Sequence, residues 1–404
     1  MKTLISLLIL LSLLSCTRKE EASPVEEAEA PIASSGTIKG SDYPAPVRIS
    51  KGEAPFQIMK MHSGQPRNLA LSPLSLKMAL EMVYPMAGEQ ARLALETGFG
   101  FTTKESDRFK GERDLAKRLG SAKDSPSRLL IANSIWLKEK KNLRPEFLES
   151  LHALSAEVHT LDLKEVNQWV KSRTEGRIPV LLETLDPKVP FLAVNTLYFK
   201  GSWTSPFRKN ETANGTFRSS PSESSSPMMM RQVHSFKYHE NEISKWLELP
   251  YKDSPLAMVL VLPKKDFDLK SVEARIDATL VDDTLARMKE ERVELVLPKF
   301  KVNEKTSLKN DLSLAGYGKL FTPGEWKSLN PGLEFSLGDV IQAVSIDVDE
   351  EGTTAAAATA LTMETTSFTM KANMPFHCDQ PFLFLLANRE SHEIYFMGRI
   401  HSPE

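Results

Sequence analysis

The side chains able to do chemistry are scattered along this 404-residue chain and match no common catalytic motif. The sequence contains no G-x-S-x-G nucleophile pattern, no H-E-x-x-H zinc pattern and no G-x-x-x-x-G-K phosphate loop. Its eight histidines are dispersed, and the best metal pair, His234 and His239, has no third ligand at suitable spacing. We therefore expect no enzyme, no cofactor and no metal site, and we interpret this pair as exposed strand or loop residues.

Charge and cysteine content exclude several further classes. The formal net charge is −2 and the pI about 6.5, whereas a nucleic-acid-binding protein usually carries a basic stripe. Basic residues between Lys104 and Arg118 alternate with acids, which predicts a solvated helix face rather than a polyanion site. The two cysteines, Cys16 and Cys378, are too few for a disulfide framework. We expect Cys378 to be a small buried residue.

The first residues have the pattern of an export signal. An apolar run of eleven residues, 4–14, follows Lys2 and is shorter than the roughly 20 residues that span a bilayer. The run ends in Leu-Leu-Ser before Cys16, which resembles the bacterial lipobox. The resemblance implies a signal peptide over 1–15 and a lipid on Cys16. The protein would then lie in a bacterial cell envelope, anchored outside the cytoplasm on the periplasmic face or cell surface.

Residues 16–45 are expected to form a flexible tether after the lipidated cysteine. Between residues 17 and 45 there are six acids and three prolines, and Tyr43 is the only aromatic residue. Such a segment buries too little apolar surface to offset its ordering entropy. The remainder, 46–404, shows no second linker and no internal repeat, so we predict a single folded domain.

The elements of that domain indicate an α+β fold, with helices early and strands late. Apolar residues at helical spacing predict a helix over 75–86, with Ser75 as a possible cap. Short helices are also predicted over 146–154 and 165–173. Apolar or alternating runs predict strands; these are 256–262, 292–297, 382–386 and 394–397. The polar run 219–226 is predicted to be a loop.

The segment 349–369, DEEGTTAAAATALTMETTSFT, is unusual in its lack of bulky or charged side chains. From residue 352 to residue 368 the only charge is Glu364. An alanine run by itself is typical of a helix or linker, but the flanking threonines favour a strand. In a strand, successive side chains point to opposite faces, and here both faces would be small. The segment could therefore lie exposed as a loop and yet enter a sheet without steric obstruction.

This segment and seven other stretches together resemble the serpin family. The hinge, Glu350 to Thr359, is similar to that of inhibitory serpins. The other stretches occur in the family's order; they are N-x-x-x-S-P-x-S at 68–75, N-x-W-V with T-x-G-x-I at 167–178, NTLYFKGSW at 195–203, ELPY at 248–251, LPKF at 297–300, DQPF at 379–382 and FMGR at 396–399. The similarity covers about residues 46–404. It implies the serpin fold, with a large central β-sheet, two further sheets, surrounding helices and an exposed reactive-centre loop at about 350–375.

The resemblance also implies a mechanism and assigns residues to it. A protease would attack the loop, form an acyl-enzyme and be trapped as the cut loop inserts into the central sheet. Gly352 would give the hinge backbone freedom, and Thr353 would be the first side chain to enter the core. The small residues Ala355, Ala356, Ala357, Ala358 and Thr359 would follow. Ser72, Ser75 and Asn195 would form the shutter that resists sheet opening, and Trp203 would lie under the breach, where insertion begins.

The chain departs from the family at one shutter position, and its reactive bond can be placed in more than one way. Where the family usually has a shutter histidine, this chain has Gln342, which can donate and accept hydrogen bonds but does not titrate. Family spacing from Glu350 places the reactive bond at Thr366–Ser367, while counting back from Pro381 allows any residue up to Met370. Thr366 would suit a small, elastase-like pocket, and Phe368 a chymotrypsin-like pocket.

No residues that could form an enzyme active site were found, and two other functions stay open. The first is a monomeric suicide inhibitor of serine proteases, elastase-like or chymotrypsin-like, that could also trap a papain-like cysteine protease through its acyl-enzyme. The second is a non-inhibitory serpin that acts as a binding or chaperone-like surface protein. Bulky or charged hinge residues would favour the second function, whereas the small residues from Thr353 to Ala360 favour the first.

Overall fold

A computed structural model of the chain describes residues 52–101, 110–120, 125–138, 143–186, 189, 191–326, 337–353 and 373–403. The chain divides into two units, Met1–Ile38 and Lys39–Glu404, and every described residue belongs to the second. The predicted signal peptide, Cys16 and the tether lie outside the described residues. No helix in the described ranges is both long and apolar enough to cross a membrane.

Helices are concentrated in the first half of the described chain. They are α1 (Ala54–Met61), α2 (Pro73–Glu81), α3 (Glu89–Phe99), α4 (Lys110–Gly120), α5 (Pro145–Ala153), α6 (Leu163–Arg173), α7 (Leu269–Arg275), α8 (Ala278–Arg287) and α9 (Lys309–Leu312). The helix predicted to start at Ser75 is α2, which begins at Pro73. Ser72 is its N-cap, because the Ser72 hydroxyl accepts a hydrogen bond from the Ser75 N–H at 3.1 Å.

Strands dominate the second half, as predicted. They are β1 (Leu69–Leu71), β2 (Ser127–Leu137), β3 (Glu157–Thr160), β4 (Phe191–Ser202), β5 (Ala213–Asn214), β6 (Phe217–Ser220), β7 (Glu223–Ser225), β8 (Met228–Glu240), β9 (Ser244–Pro250), β10 (Leu256–Pro263), β11 (Lys289–Pro298), β12 (Phe300–Ser307), β13 (Ile341–Val348), β14 (Gly352–Thr353), β15 (Met374–His377), β16 (Phe382–Asn388) and β17 (Ile394–Ile400). The polar run 219–226 is not purely a loop, because β6 and β7 pair there as a small hairpin.

The strands form two large sheets and the β6–β7 hairpin. A six-stranded sheet has the order β12-β13-β14-β4-β2-β3, and we call it the central sheet. A nine-stranded sheet has the order β1-β17-β16-β10-β9-β8-β11-β15, with β5 paired to β8. The predicted α+β class, with a large sheet, further sheets and helices around them, is confirmed.

Two apolar clusters hold these layers together. The larger one contains β10, β16 and β17, whose side chains are almost all buried, together with residues of α2 and α3. The smaller one lies between α6 and strands β2 and β4, where Trp136 and Trp169 meet edge to face at 6.3 Å. Helix α6 therefore packs on a core of its own over the central sheet.

Candidate functional site

The start of the predicted hinge is already a strand of the central sheet. Gly352 and Thr353 form β14, which stands between β13 and β4 in the strand order. Thr353 pairs with Val348 on one side and Gly201 on the other, and Gly352 pairs with Ser202. These two residues thus join the two halves of the sheet at one end of β13.

Gly352 lies too close to β4 for any side chain. A Cβ atom at this position would lie 1.9 Å from the carbonyl oxygen of Gly201 and 2.8 Å from Ser202 Cα. Both contacts are to backbone, which cannot move aside as a flexible side chain could. Glycine is therefore required here by close backbone approach, a reason more specific than the conformational freedom expected from the sequence.

Thr353 is buried, with 4% of its surface exposed, and its hydroxyl lies 2.5 Å from that of Tyr251. The Tyr251 ring stacks on Trp203 with a centroid distance of 4.6 Å and meets Phe199 edge-on at 4.7 Å. Burial raises the pKa of Tyr251 far above its usual range, so the phenol stays neutral. The first side chain predicted to enter the core is thus in place, and its hydroxyl is satisfied there.

Trp203 holds the backbone just before the hinge strand. Its indole N–H donates to the Asp349 carbonyl at 3.0 Å, and its backbone N–H donates to the Glu351 carbonyl at 2.8 Å. The indole is 2% exposed. These contacts fix Trp203 against the backbone that precedes β14, and its role beneath the point where insertion begins stays a prediction.

The first two carboxylates of the hinge are held by lysines from distant parts of the chain. Lys299 Nζ lies 3.0 Å from Glu350, and Lys209 Nζ lies 2.6 Å from Glu351. Burial by itself would raise the pKa of Glu350, but the hydrogen bonds from Lys299 and other donors outweigh burial. The pKa of Glu350 is therefore lower than usual. Glu350 is therefore ionised at neutral pH. Its ion pair with Lys299, the residue just before β12, fixes the hinge beside that strand.

Asp349 closes a tight turn into the hinge. Its carboxylate accepts from the N–H groups of Glu351 at 2.9 Å and Gly352 at 3.2 Å, and its own N–H donates to the Gly352 carbonyl. Burial raises the pKa of this carboxyl, even though these hydrogen bonds favour the charged form. The turn reverses the chain after β13 so that β14 runs antiparallel to it.

At the shutter, Gln342 of β13 forms a reciprocal pair with the backbone of Ser72. The Ser72 N–H donates to Gln342 Oε1 at 2.7 Å, and Gln342 Nε2 donates to the Ser72 carbonyl at 2.8 Å. The Ser72 hydroxyl also donates to the Tyr395 carbonyl of β17 at 2.6 Å. Both amide atoms of Gln342 are thus used, and the pair ties the central sheet to the start of α2.

The other expected shutter residues are arranged differently. Asn195 Nδ2 donates to Asn133 Oδ1 at 2.6 Å, and Asn133 Nδ2 donates to the Leu154 carbonyl at 3.0 Å. Asn195 therefore bonds across β4 and β2, and its buried Oδ1 has no hydrogen-bond partner among the described residues. Ser75 is buried and contributes its backbone N–H to the Ser72 cap.

Several predicted residues lie outside the described part of the chain. They are the hinge residues Ala355, Ala356, Ala357, Ala358 and Thr359, the reactive-bond candidates Thr366, Ser367, Phe368 and Met370, and Cys16. Cys378 is buried, and burial raises its thiol pKa. No group of three or more His, Cys, Asp or Glu side chains within the described ranges is placed to hold a metal ion.

Sequence reasoning did not identify Tyr251, Lys299 and Asn133 as parts of this site. Tyr251 and Lys299 belong to the ELPY and LPKF stretches, which marked the fold without suggesting a side-chain role. Tyr251 is 102 positions from Thr353, and Asn133 is 62 positions from Asn195. The β2–β4 register brings Asn133 to Asn195, whereas Tyr251 reaches Thr353 from the end of β9 in the other sheet.

Comparison with known proteins agrees with the fold and covers nearly all of the described chain. The sequence profile described as "Serpin (serine protease inhibitor)" matches residues 54–403. An uncharacterized serpin-like protein of Thermococcus kodakarensis is 32% identical over 86% of this chain and 84% of its own length. The leukocyte elastase inhibitor of Homo sapiens is also 32% identical, over 83% of this chain and 93% of its own length. The native state of the thermophilic serpin tengpin superposes with a TM-score of 0.76 at 22% identity, over 87% of this chain and 93% of that one.

Proposed function

The chain belongs to the serpin family, and on that basis we propose that it inhibits serine proteases as a suicide substrate. The observation that carries the proposal is the docking of Gly352 and Thr353 between β13 and β4. The similarity to a leukocyte elastase inhibitor supports an elastase-like or chymotrypsin-like target.

The described contacts specify where insertion would start. β14 already forms the first pairs of a new strand, so each further residue would extend an existing ladder rather than nucleate one. Glu350 and Glu351, held by lysines, and Trp203, bonded to the same backbone, would keep this starting point fixed. Residues 355–359 are small, so neither face of the growing strand would meet a steric or charge barrier.

The chemical steps follow from acyl transfer by the protease. Its serine hydroxyl would attack the carbonyl carbon of the reactive residue, forming an ester while the amine of the next residue leaves. We place this bond at Thr366–Ser367, with Phe368 and Met370 as alternatives. An inserted strand of about 15 residues at about 3.3 Å each would carry the tethered protease about 50 Å, before water could hydrolyse the ester. A papain-like thiolate would form a thioester and be trapped in the same way.

Insertion requires that the native state be kinetically trapped with most of its loop outside the sheet. The Ser72–Gln342 pair ties β13 to α2, and the Asn195–Asn133 bond ties β4 to β2. These contacts hold the two halves of the sheet to different neighbours. The two halves could therefore move apart while each keeps its own contacts, as insertion of a new strand between them requires.

We also propose that the protein acts from a membrane surface, through a lipid on Cys16 and a tether over 16–45. Two or more acyl chains are needed for stable anchoring, since one chain binds only reversibly. The test is to express the full chain and Cys16→Ser in a bacterium and compare membrane and soluble fractions, with mass spectrometry of the N-terminal peptide. Release of the variant and a lipid mass on the parent would support anchoring. Equal fractionation without a lipid mass would overturn it.

The inhibition test mixes residues 17–404 with an elastase, chymotrypsin, trypsin, subtilisin and a papain-like protease. This form contains the whole unit Lys39–Glu404, so it retains every described contact. We expect a covalent complex that survives denaturing electrophoresis, and release of a C-terminal peptide that begins at Ser367 or a neighbour. Clean cleavage that leaves every protease active, with no gain in thermal stability, would overturn inhibition and leave a binding role.

A further inference from the structure

The chain enters the described body at Gly52, which packs against the last turn of α3. A Cβ atom on Gly52 would lie 2.1 Å from the carbonyl oxygen of Gly98 and 2.3 Å from Phe99 Cα. The Phe99 ring meets Tyr317 at a centroid distance of 5.9 Å. Tyr317 ends a short helical segment, Ser313–Tyr317, that follows α9 directly. Helices α1 and α3 and this segment therefore lie together, and we call them the attachment face.

The attachment face lies at the end of β12 that is remote from the hinge. β12 begins at Phe300, which pairs with Val348 beside the hinge strand, and it ends at Ser307. At about 3.3 Å per residue, these two ends are about 23 Å apart. In α9, which follows β12, Asp311 lies 2.8 Å from His62 at the end of α1. The chain therefore enters the body on the side away from the loop that would meet a protease.

Exposed apolar side chains are concentrated on the attachment face. Seven large hydrophobic residues of the described chain are exposed, and three of them belong to this face. They are Leu314, which is 79% exposed, Leu93, which is 60% exposed, and Met61 at 36%. Single exposed apolar residues are common on protein surfaces. Here, however, the two with the largest exposed fractions lie on elements that contact each other, which marks a surface for an apolar partner.

Charge gives an anionic partner no advantage on this face. Lys309 and Lys319 stand on either side of Leu314 in the sequence, and both are exposed. The same stretch, 309–325, contains the acids Asp311 and Glu325, so its basic and acidic side chains are equal in number. The feature left to be recognised is therefore apolar.

We propose that the attachment face rests on a membrane surface, with Leu314 and Leu93 in the interfacial layer, so that the hinge and the reactive loop face away from the lipid. The proposal rests on the lipid anchor proposed above for Cys16. Residues 17–51 would form a tether of about 35 residues, with a mean span of at least about 30 Å. Such a tether leaves the orientation open but holds the body near the lipid at an effective concentration of the order of millimolar. A weak apolar contact is then enough to orient the protein.

The test holds residues 17–404 on phosphatidylcholine vesicles through an N-terminal polyhistidine tag and a nickel-chelating lipid. The vesicles also contain a lipid with a doxyl quencher on its acyl chain. This attachment keeps the tether and replaces the lipid on Cys16, so the result does not depend on natural lipidation. The fractionation of Cys16→Ser described above tests the anchor separately. A full chain that carries no lipid would overturn the anchor, whereas the vesicle experiment would still decide the orientation.

A fluorescent label reports which side of the protein meets the lipid. It is placed at Ser313→Cys, beside Leu314, or at Ser235→Cys, which lines a cavity with Trp203 near the hinge. Both serines are exposed, and the native Cys378 is buried, so labelling is specific. We expect quenching at position 313 to be at least threefold stronger than at position 235. Equal quenching at the two positions, or no quenching at either, would overturn the proposal.

Substitutions separate the apolar contact from simple tethering. In the protein labelled at position 313, Leu314→Ser should lower the quenching at least threefold, and Leu93→Ser at least twofold. Both side chains are largely exposed, so neither change removes core packing. The matched control is Met228→Ser, at a residue 43% exposed whose carbonyl accepts from the Lys299 N–H near the hinge. It should change the quenching less than 1.5-fold. Equal effects of the Leu314 and Met228 variants would overturn the apolar contact.

Lipid charge provides the last comparison. Replacing a quarter of the phosphatidylcholine by phosphatidylglycerol should change the quenching at position 313 less than twofold, because the stretch 309–325 has no excess charge. Quenching that appears only with phosphatidylglycerol would overturn the apolar basis of the contact.

Discussion

The hydroxyl groups of Tyr251 and Thr353 share a buried hydrogen bond of 2.5 Å. The bond connects the end of a strand of the nine-stranded sheet to the hinge. Tyr251 follows β9 directly, and Thr353 is the last described residue of β14. The bond therefore links the first inserted side chain to a phenol that the fold holds rigidly between Trp203 and Phe199. It makes the docked hinge a defined state, whose stability can be changed by substitution.

A double-mutant cycle should detect this bond. Tyr251→Phe leaves the buried Thr353 hydroxyl without its partner and should weaken hinge docking by about 1–3 kcal/mol. Thr353→Val leaves the phenol unpaired and should have a similar effect, while the double variant should lose less than the sum. Hydrogen exchange at the amides of residues 352 and 353 measures docking. Additive effects in the double variant would show that the hydroxyls do not interact.

Thr353→Arg should convert the inhibitor into a substrate. The docked position is 4% exposed and faces the neutral phenol of Tyr251, so insertion would have to bury the new charge. We expect the loop to be cut at an unchanged rate, while the number of inhibitor molecules consumed per trapped protease rises at least tenfold. The cleaved variant should also gain no thermal stability.

Thr353→Ser is the matched control for this change, since it keeps the hydroxyl that bonds Tyr251 and adds no charge. It should retain a consumption ratio within about twofold of the parent, because the buried phenol keeps its hydrogen-bond partner. If Thr353→Arg trapped proteases as efficiently as the parent, insertion past this position would not be needed for inhibition.

Much of the fold was predictable because its signals are local. The apolar run at 256–262 and the alternation at 292–297 became β10 and β11, and the helix predicted over 165–173 became α6. Local signals were weaker at boundaries: Ser75 looked like a helix cap, but Pro73 fits the first turn, so Ser72 is the cap.

The site was predictable in its residue types but not in its state. The small residues after Glu351 indicated a segment able to enter a sheet, and that property depends on side-chain size alone. Whether Gly352 and Thr353 are docked depends on the close approach of Gly201 and on the phenol of Tyr251, which are distant in sequence. The pairing of Asn195 with Asn133 likewise follows from the β2–β4 register.

Gln342→His should make the shutter sensitive to pH. A neutral imidazole can accept from the Ser72 N–H and donate to its carbonyl, as the amide does, but a protonated one cannot accept. The folded-state pKa of the new histidine should therefore fall below its unfolded value of about 6.5. Its stabilising contribution would be present above about pH 6.5 and lost as the pH falls toward the folded pKa, by up to about 1.4 kcal/mol per pH unit.

Urea unfolding at pH 5.0–7.5 measures this effect, with the parent and Gln342→Asn as controls that do not titrate at this position. The difference in stability between Gln342→His and the parent should grow as the pH falls. A difference that is constant with pH would mean that the imidazole does not replace both hydrogen bonds of the amide.

Lys77 and Glu393 form a buried ion pair that should tolerate joint replacement better than single replacement. Their charged atoms lie 2.9 Å apart, and both side chains are under 5% exposed. Lys77→Met leaves a lone buried carboxylate and should cost about 3–5 kcal/mol, whereas Lys77→Met with Glu393→Met should lie much closer to the parent. The first unfolding transition in urea provides the measurement. A double variant as unstable as the single one would show that Glu393 does not act through Lys77.

Glu350 should make hinge docking depend on pH in the acid range. Burial acts to raise the folded pKa of Glu350, but hydrogen bonds, chiefly that from Lys299, outweigh burial and lower it. The contribution of Glu350 to docking stability is therefore fully present above its unfolded pKa of about 4.3. It is lost as the pH falls through the folded pKa. Asp349, whose pKa burial raises, acts in the opposite sense over a higher pH range and is present in the parent and in both variants. Hydrogen exchange at residues 352–353, corrected for the intrinsic rate, should show docking weakening below about pH 4.5 in the parent. In Glu350→Gln the acid-dependent part of this loss should disappear. In Lys299→Met it should reverse in sign, because burial, the largest influence on this carboxyl, would then raise its folded pKa above the unfolded value. An unchanged acid profile in Glu350→Gln would assign the effect to another carboxylate.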